Sequence, residues 1–276
     1  MKLKNRCIRL LLTAMSALTS GSIVAQGNLL ISPRRVVLDA NNRVEEINLA
    51  NTGKDTFRYL ISLVEMEMNE NGSIAMYEGS DSGKKWSSPY LRYYPHEVVL
   101  APNEAQIVRI QYAKSAALNP GEYRSHLYFR AKFTEVPLGD TAPKASKTLS
   151  VSLAPTFGLC IPVIIKVGEN HTTLTLSNLF FSRKEEKPKL SMTLEREGNM
   201  SVYGDVIVDY VAPEGKITRV GAAKGIAVYT SVGKRQFSLS LSDSEGIDYS
   251  KGKLQIAFTE NNAEQSKIAE ASFSIN

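Results

Sequence analysis

The chain has 276 residues, 43% of them hydrophobic, and a formal net charge of +5. Lys2, Lys4, Arg6 and Arg9 fall in its first 25 residues, where there is no acid, so the remainder carries only +1. The basic pI is therefore no argument for a nucleic acid or membrane-surface partner.

The first segment has a basic start, an apolar run from Ile8 through Leu18, and Ile23-Val24-Ala25 before Gln26. That order predicts a cleavable secretory signal over residues 1–25, too short in its apolar part to span a bilayer. Cys7 has no lipoprotein-type setting, so no lipid anchor is expected. Export would leave Cys160 as the single cysteine, which excludes an internal disulfide and leaves packing to hold the fold.

Beyond residue 25 the prevailing signal is alternation of apolar and polar residues, with few amphipathic helical stretches. Tyr123 to Phe133 is the clearest case. Tyr123, Ser125, Leu127, Phe129, Ala131 and Phe133 would line one face, and Arg124, His126, Tyr128, Arg130 and Lys132 the other. In chain order the pattern predicts strands over Leu29–Asp39, Val44–Ala50, Phe57–Met68, Tyr90–Leu100 (interrupted at Pro95), Gln106–Tyr112, Glu122–Phe133 and Thr148–Val167. Asn51-Thr52-Gly53, Ala101-Pro102-Asn103 and Asn119-Pro120-Gly121 supply turns between them. Residues 134–147, with Pro, Gly and Lys, read as a loop. Seven short strands at this spacing describe an immunoglobulin-like sandwich over residues 26–168.

A second set follows over residues 169–276. Strands are expected at Leu174–Phe181, Lys189–Arg196, Tyr203–Val211, Ile217–Val220, Ile226–Thr230, Gln236–Leu241, Leu254–Glu260 and Ala271–Ile275. The fold class is thus all-β, two immunoglobulin-like sandwiches in tandem. The short join near Val167–Asn170 implies that the domains touch and hold a fixed angle.

Nothing in the sequence announces catalysis. His96, His126 and His171 are far apart and have no carboxylate or Cys at metal-ligand spacing. Phosphate-cradling glycine loops, His-Glu-x-x-His and nucleophile elbows are all missing. Cys160 lies in the apolar run Phe157-Gly158-Leu159-Cys160-Ile161 and is expected to be a buried, inert thiol. Trp86 is the lone tryptophan, so an aromatic row for carbohydrate is not supported. The reading is of a non-enzyme without cofactor or metal.

Several segments together resemble the PapD-like periplasmic chaperones of pilus and fimbria assembly. Ile31-Ser32-Pro33-Arg34-Arg35-Val36-Val37-Leu38-Asp39 is similar to that family's opening strand, with a basic residue before a short apolar run. Residues from Val99 through Ile110 are similar to its strand–turn–strand. Those from Gly121 to Arg130 resemble its sixth strand, and Leu159-Cys160-Ile161-Pro162-Val163-Ile164-Ile165 the end of its seventh. The resemblance covers the first half of the chain. It implies donor-strand complementation, in which the chaperone lends an extended strand to a subunit whose own sandwich lacks one. Leu149, Val151, Leu153, Phe157 and Leu159 would be the apolar face of that donor, and each buried side chain would contribute roughly 1.5–3 kcal/mol. The bland alternative is that they close this domain's own core.

The resemblance also implies a basic anchor for the subunit's C-terminal carboxylate. Arg35 matches it, with Arg34 as the alternative if the register slips by one. A guanidinium fork suits a carboxylate. The family's second basic anchor is missing, since Thr156, Phe157 and Gly158 stand where it belongs and no Lys or Arg lies between Lys147 and Lys166. The family's sixth-strand acid aligns with Arg124, and its partner with Ile161. Arg124, His126, Arg130 and Lys132 offer a possible accessory basic face. The implied partners are secreted pilus-like subunits and an outer-membrane usher, in the periplasm. An exposed donor strand could also pair with its own copy as a self-capped dimer. A structural or adhesive envelope protein on the same scaffold is the rival function.

Overall fold

In a computed structural model the described residues are 29–79, 83–113, 118–132, 157–183, 187–243, 247–261 and 266–275. The first part of the chain forms β1 (Leu29–Ser32), β2 (Val36–Leu38), β3 (Val44–Asn51), β4 (Phe57–Val64), β5 (Met66–Met68), β6 (Ile74–Met76), β7 (Leu91–Tyr94), β8 (Glu97–Leu100), β9 (Ala105–Tyr112), β10 (Gly121–Lys132) and β11 (Gly158–Val167). One sheet has the order β1-β3-β9-β7, and the facing sheet has β2-β11-β10-β4-β8. Their inner faces enclose a core around Leu38, Ile47, Leu49, Leu100, Ile110, Leu127 and Phe129.

Three of the expected strands are each divided. The run Leu29–Asp39 breaks after Ser32, so β1 joins one sheet and β2 the other. The run Tyr90–Leu100 breaks at Pro95, and β7 and β8 likewise part company. Proline has no amide hydrogen to give a ladder, which suits both positions to a change of sheet. The third division, at Glu65, frees β5 to form a hairpin with β6 outside either sheet.

The second part of the chain forms β12 (Thr173–Ser182), β13 (Lys189–Glu197), β14 (Val202–Val211), β15 (Ile217–Val228), β16 (Lys234–Ser240), β17 (Gly252–Glu260) and β18 (Lys267–Ile275). A sheet of order β12-β13-β16 faces one of order β15-β14-β17-β18. Between them lie Leu190, Leu194, Val206, Val208, Val228, Leu254 and Phe258. The architecture is two β-sandwiches.

Here two expected strands, Ile217–Val220 and Ile226–Thr230, are one. Gly221 and Gly225 read locally as turn residues, but they work inside β15. A Cβ on Gly221 would lie 2.9 Å from both Leu239 and Leu241, and Gly225 (φ +70°) sits beside a register shift between Gly204 and Val206. Gly221 avoids close contact with the leucines, and Gly225 adopts a positive φ that other residues rarely take, so an irregular strand continues through both. On the neighbouring strand, a Cβ at Gly204 would fall 2.1 Å from the Thr259 carbonyl oxygen, a rigid backbone atom. Gly204→Ala is expected to lower stability by about 1–3 kcal/mol, read from urea unfolding, with the near-UV spectrum retained.

Candidate functional site

The last strand of the first sandwich, β11, is covered unevenly. Along one edge it pairs antiparallel with β10 from Gly158 to Val167. Along the other, β2 runs parallel to it only at Val163–Ile165. No described strand pairs with the Gly158–Pro162 part of that second edge.

Side chains near this opening are apolar and exposed. Phe157 and Leu159 are 42% and 45% exposed, whereas Ile161 is buried. Across the gap lies β1, whose Leu30 is 48% exposed. Leu29, Leu30, Ile31 and Arg34 face Leu159, Cys160 and Ile161 across a groove of about 400 Å³. Of the five residues expected on the donor face, Phe157 and Leu159 lie beside an edge that no described strand covers. Leu149, Val151 and Leu153 lie outside the described residues, as does the expected loop 134–147. The Tyr128 ring packs where a Cβ of Gly158 would be, so a glycine here lets an aromatic lie over the strand.

Cys160 corrects its expectation. It is exposed, because the chain ends its cover one residue before the buried Ile161. Partial burial among apolar neighbours nonetheless pushes its thiol above the ordinary value, which disfavours the reactive thiolate.

Arg34 and Arg35 part company at the turn between β1 and β2. Arg34 is exposed and borders the groove. Arg35 turns into the cleft between the sandwiches, its guanidinium 4.3 Å from the centre of the Tyr203 ring. Burial, and then the nearby charge of Arg124, lower its pKa from the usual arginine value. Among the described residues it has no ion-pair partner. A half-desolvated cation facing a cleft without its own counterion is suited to hold an incoming carboxylate.

The accessory basic face expected on β10 divides in two. Arg130 and Lys132 are exposed, but Arg124 and His126 are buried. The alternation was right and its environment was not, because the second sandwich roofs that half of the strand. Tyr229 supplies the roof, 3.7 Å from the Arg124 guanidinium by ring centroid and 6.2 Å from the centre of the His126 ring. Both His126 ring nitrogens are buried without a hydrogen-bond partner. Desolvation, and then the Arg124 charge, lower its pKa to about 4, so the ring is neutral at pH 7. His126 contributes no positive charge to this face.

The acid of the cleft is Glu122, two residues before the position that resemblance gave it. Arg124 donates to Glu122 Oε1 from Nε at 2.9 Å and from Nη2 at 2.6 Å. Oε2 accepts from the Ser201 amide at 3.0 Å and its hydroxyl at 2.6 Å, while Arg124 Nη2 reaches the same hydroxyl at 2.8 Å. Ser201 belongs to the second sandwich, so a buried ion pair on β10 is tied across the cleft. Burial is the largest influence on Glu122 and pushes its pKa up. The Arg124 charge and the hydrogen bonds of Ser201 and Arg124 outweigh it and hold the carboxyl below its ordinary value.

A second contact braces the same angle. The hairpin of β5 and β6 reaches the second sandwich, where Met68 packs with Ala227 and Tyr229. The Gln236 amide donates to the Glu70 carbonyl at 2.6 Å. Sequence reasoning missed both Glu122 and this hairpin. A charged residue inside an alternating strand, followed two positions later by the opposite charge, was the signal available for the first.

No family model matches the chain, and no curated protein matches its sequence. Solved structures do. The YadV chaperone is 13% identical, with 90% of this chain and all of that one aligned at a TM-score of 0.46. The Pseudomonas aeruginosa CupB2 chaperone is 12% identical over 90% of this chain and all of its own, at 0.42. A complex of the Salmonella enterica SafA pilin with the SafB chaperone is 11% identical over 89% and 95%, at 0.40. The chain is similar to fimbrial chaperones over about nine-tenths of its length. Function has to be argued from its own residues.

Proposed function

We propose that this protein is a periplasmic chaperone that binds exported pilus-type subunits and caps each by adding a strand along the open edge of β11. The observation that carries the proposal is that edge: Gly158–Pro162 has no described neighbour on one side, and Phe157 and Leu159 stand exposed beside it. An extended segment with alternate apolar side chains and unpaired backbone groups gives a partner both a ladder and a row of knobs for its groove. Leu149, Val151 and Leu153 continue the same parity upstream and are proposed to extend the donor. Arg35 is proposed to hold the subunit's terminal carboxylate at the mouth of the cleft.

The test is co-purification of the tagged chain from periplasmic extract. Phe157→Asp with Leu159→Asp is expected to leave the thermal midpoint within a few degrees of the parent, because both side chains are exposed, and to abolish subunit capture. A folded variant that still retains every partner removes donor-strand capping from this protein.

Arg35→Ala is a separate prediction. Truncating one partner of a largely desolvated charge pair should weaken capture by about 2 kcal/mol, roughly thirtyfold, chiefly through faster dissociation. A subunit amidated at its C-terminus should show no further loss with Arg35→Ala. Equal sensitivity of acid and amide would reject the carboxylate role.

A further inference from the structure

The β5–β6 hairpin, which belongs to neither sheet of the first sandwich, gathers sulfur. Three of the chain's seven methionines, Met66, Met68 and Met76, fall on it. Its ladder fixes how they are placed. The Tyr77 amide donates to the Glu65 carbonyl at 2.9 Å, and the Asn69 amide to the Ser73 carbonyl at 2.8 Å. Hydrogen-bonded and non-hydrogen-bonded pairs alternate along an antiparallel ladder. Met66 with Met76, and Met68 with Ile74, are therefore non-hydrogen-bonded pairs, in which opposing side chains lie closest. Side chains two apart on a strand share a face. Met66, Met68, Ile74 and Met76 thus line one face, with Met66 directly opposite Met76 and Met68 next along the strand.

Burial grades this face. Met68 is 4% exposed and packs with Ala227 and Tyr229, Met66 is partly buried, and Met76 is 52% exposed. The apolar cluster with the second sandwich is made by Met68, and the Met66–Met76 pair stands outside it. The opposite face carries Glu67, which pairs with Lys84. Among the described residues no group of three or more His, Cys, Asp and Glu is placed to hold a metal. What the hairpin offers is of another kind: three neutral, polarisable thioethers side by side, a donor set that suits a soft monovalent cation.

We propose that Met66, Met68 and Met76 bind a copper(I) ion through their sulfur atoms, with Met68 as the floor of the site and Met76 at its mouth. The unbranched methionine side chain turns about three bonds, so the sulfurs can converge without moving the backbone. A thioether has no proton to lose, so this site, unlike one of thiolate or imidazole, binds without deprotonation. It does not depend on the chaperone reading.

The full chain carrying Cys7→Ser and Cys160→Ser, which removes both thiols, is titrated by calorimetry with silver(I) nitrate in chloride-free buffer, as a redox-stable probe. One silver(I) per chain is expected, with the same affinity at about pH 7.5 and about pH 6, where imidazole ligands would take up protons. Zinc(II) should give no saturable heat. Met66→Leu and Met76→Leu keep volume and apolarity. Each should weaken silver(I) by at least roughly tenfold, the scale on which even the outer partners of a metal act. With carbon-13 in the methionine methyl groups, the resonances of Met66, Met68 and Met76 should move on saturation. Those of Met192 and Met200, both buried in the second part of the chain, should not. Absence of saturable silver(I) binding, zinc(II) binding of equal strength, affinity that falls at the lower pH or is unmoved by either leucine variant, or movement of Met192 and Met200 in place of the hairpin methyls overturns the assignment.

Discussion

Glu122→Ala is expected to cost about 3–5 kcal/mol of stability, because it leaves the Arg124 guanidinium buried beneath Tyr229 with no carboxylate. The loss should appear as a lower urea midpoint and as earlier proteolysis between Val167 and Thr173, where the sandwiches join. Glu122 is 1% exposed and Arg124 4%, so solvent cannot replace what is removed. Glu122→Gln retains an oxygen for Ser201 and should lose less. The double variant Glu122→Leu with Arg124→Met should recover much of the loss, since a buried ion pair can be replaced by packed apolar residues at small cost. A single Glu122→Ala variant with parental stability and parental proteolysis would show that the sandwiches are held elsewhere, for which the β5–β6 hairpin is the next candidate.

The second large effect is with pH. His126 titrates near 4 when folded, against an ordinary 6.5. Between those values the unfolded chain holds a proton that the folded chain does not, so stability falls as pH is lowered through that window. The shift corresponds to roughly 3 kcal/mol, present in full above pH 6.5 and gone by about pH 4. Glu122 acts in the same direction but lower. Its depressed pKa contributes stability that is present above the unfolded carboxyl value and is lost only as pH falls through the folded one. The two windows meet near pH 4. His126→Phe keeps a ring against Tyr229 and cannot charge, so unfolding free energies measured at several pH values should lose the slope between 6.5 and 4 and keep the acid limb below it. An unchanged slope would mean that His126 is hydrated or paired in solution.

How these residues were legible differs case by case. The alternation from Tyr123 to Lys132 placed Arg124, His126, Arg130 and Lys132 on one face, and the pairing of β10 runs through these positions without a bulge. It could not say that the first two would be roofed and the last two left in water, since the roof is Tyr229, more than a hundred residues away. Glu122 carried a local signal in the opposite charge of Arg124 two positions on, but its third partner, Ser201, is a serine in the second sandwich with no pattern of its own. Cys160 was misread because an apolar run usually signals burial, and here one edge of the run has no described strand beside it. Pro95 was read as an interruption of its run. That both it and Pro33 hand the chain to the opposite sheet depended on which strands were waiting there.

By itself the sequence determined that this chain is built of strands, where most of them lie, and that two sandwiches follow one another, because side-chain direction in an extended chain repeats every two residues whatever surrounds it. Only the tertiary structure decided which sheet each strand joined, that no described strand pairs with the second edge of Gly158–Pro162, and that an ion pair beside Ser201 would tie the halves together. Those outcomes turn on which surfaces lose water to one another, and desolvation depends on neighbours that are distant in the chain.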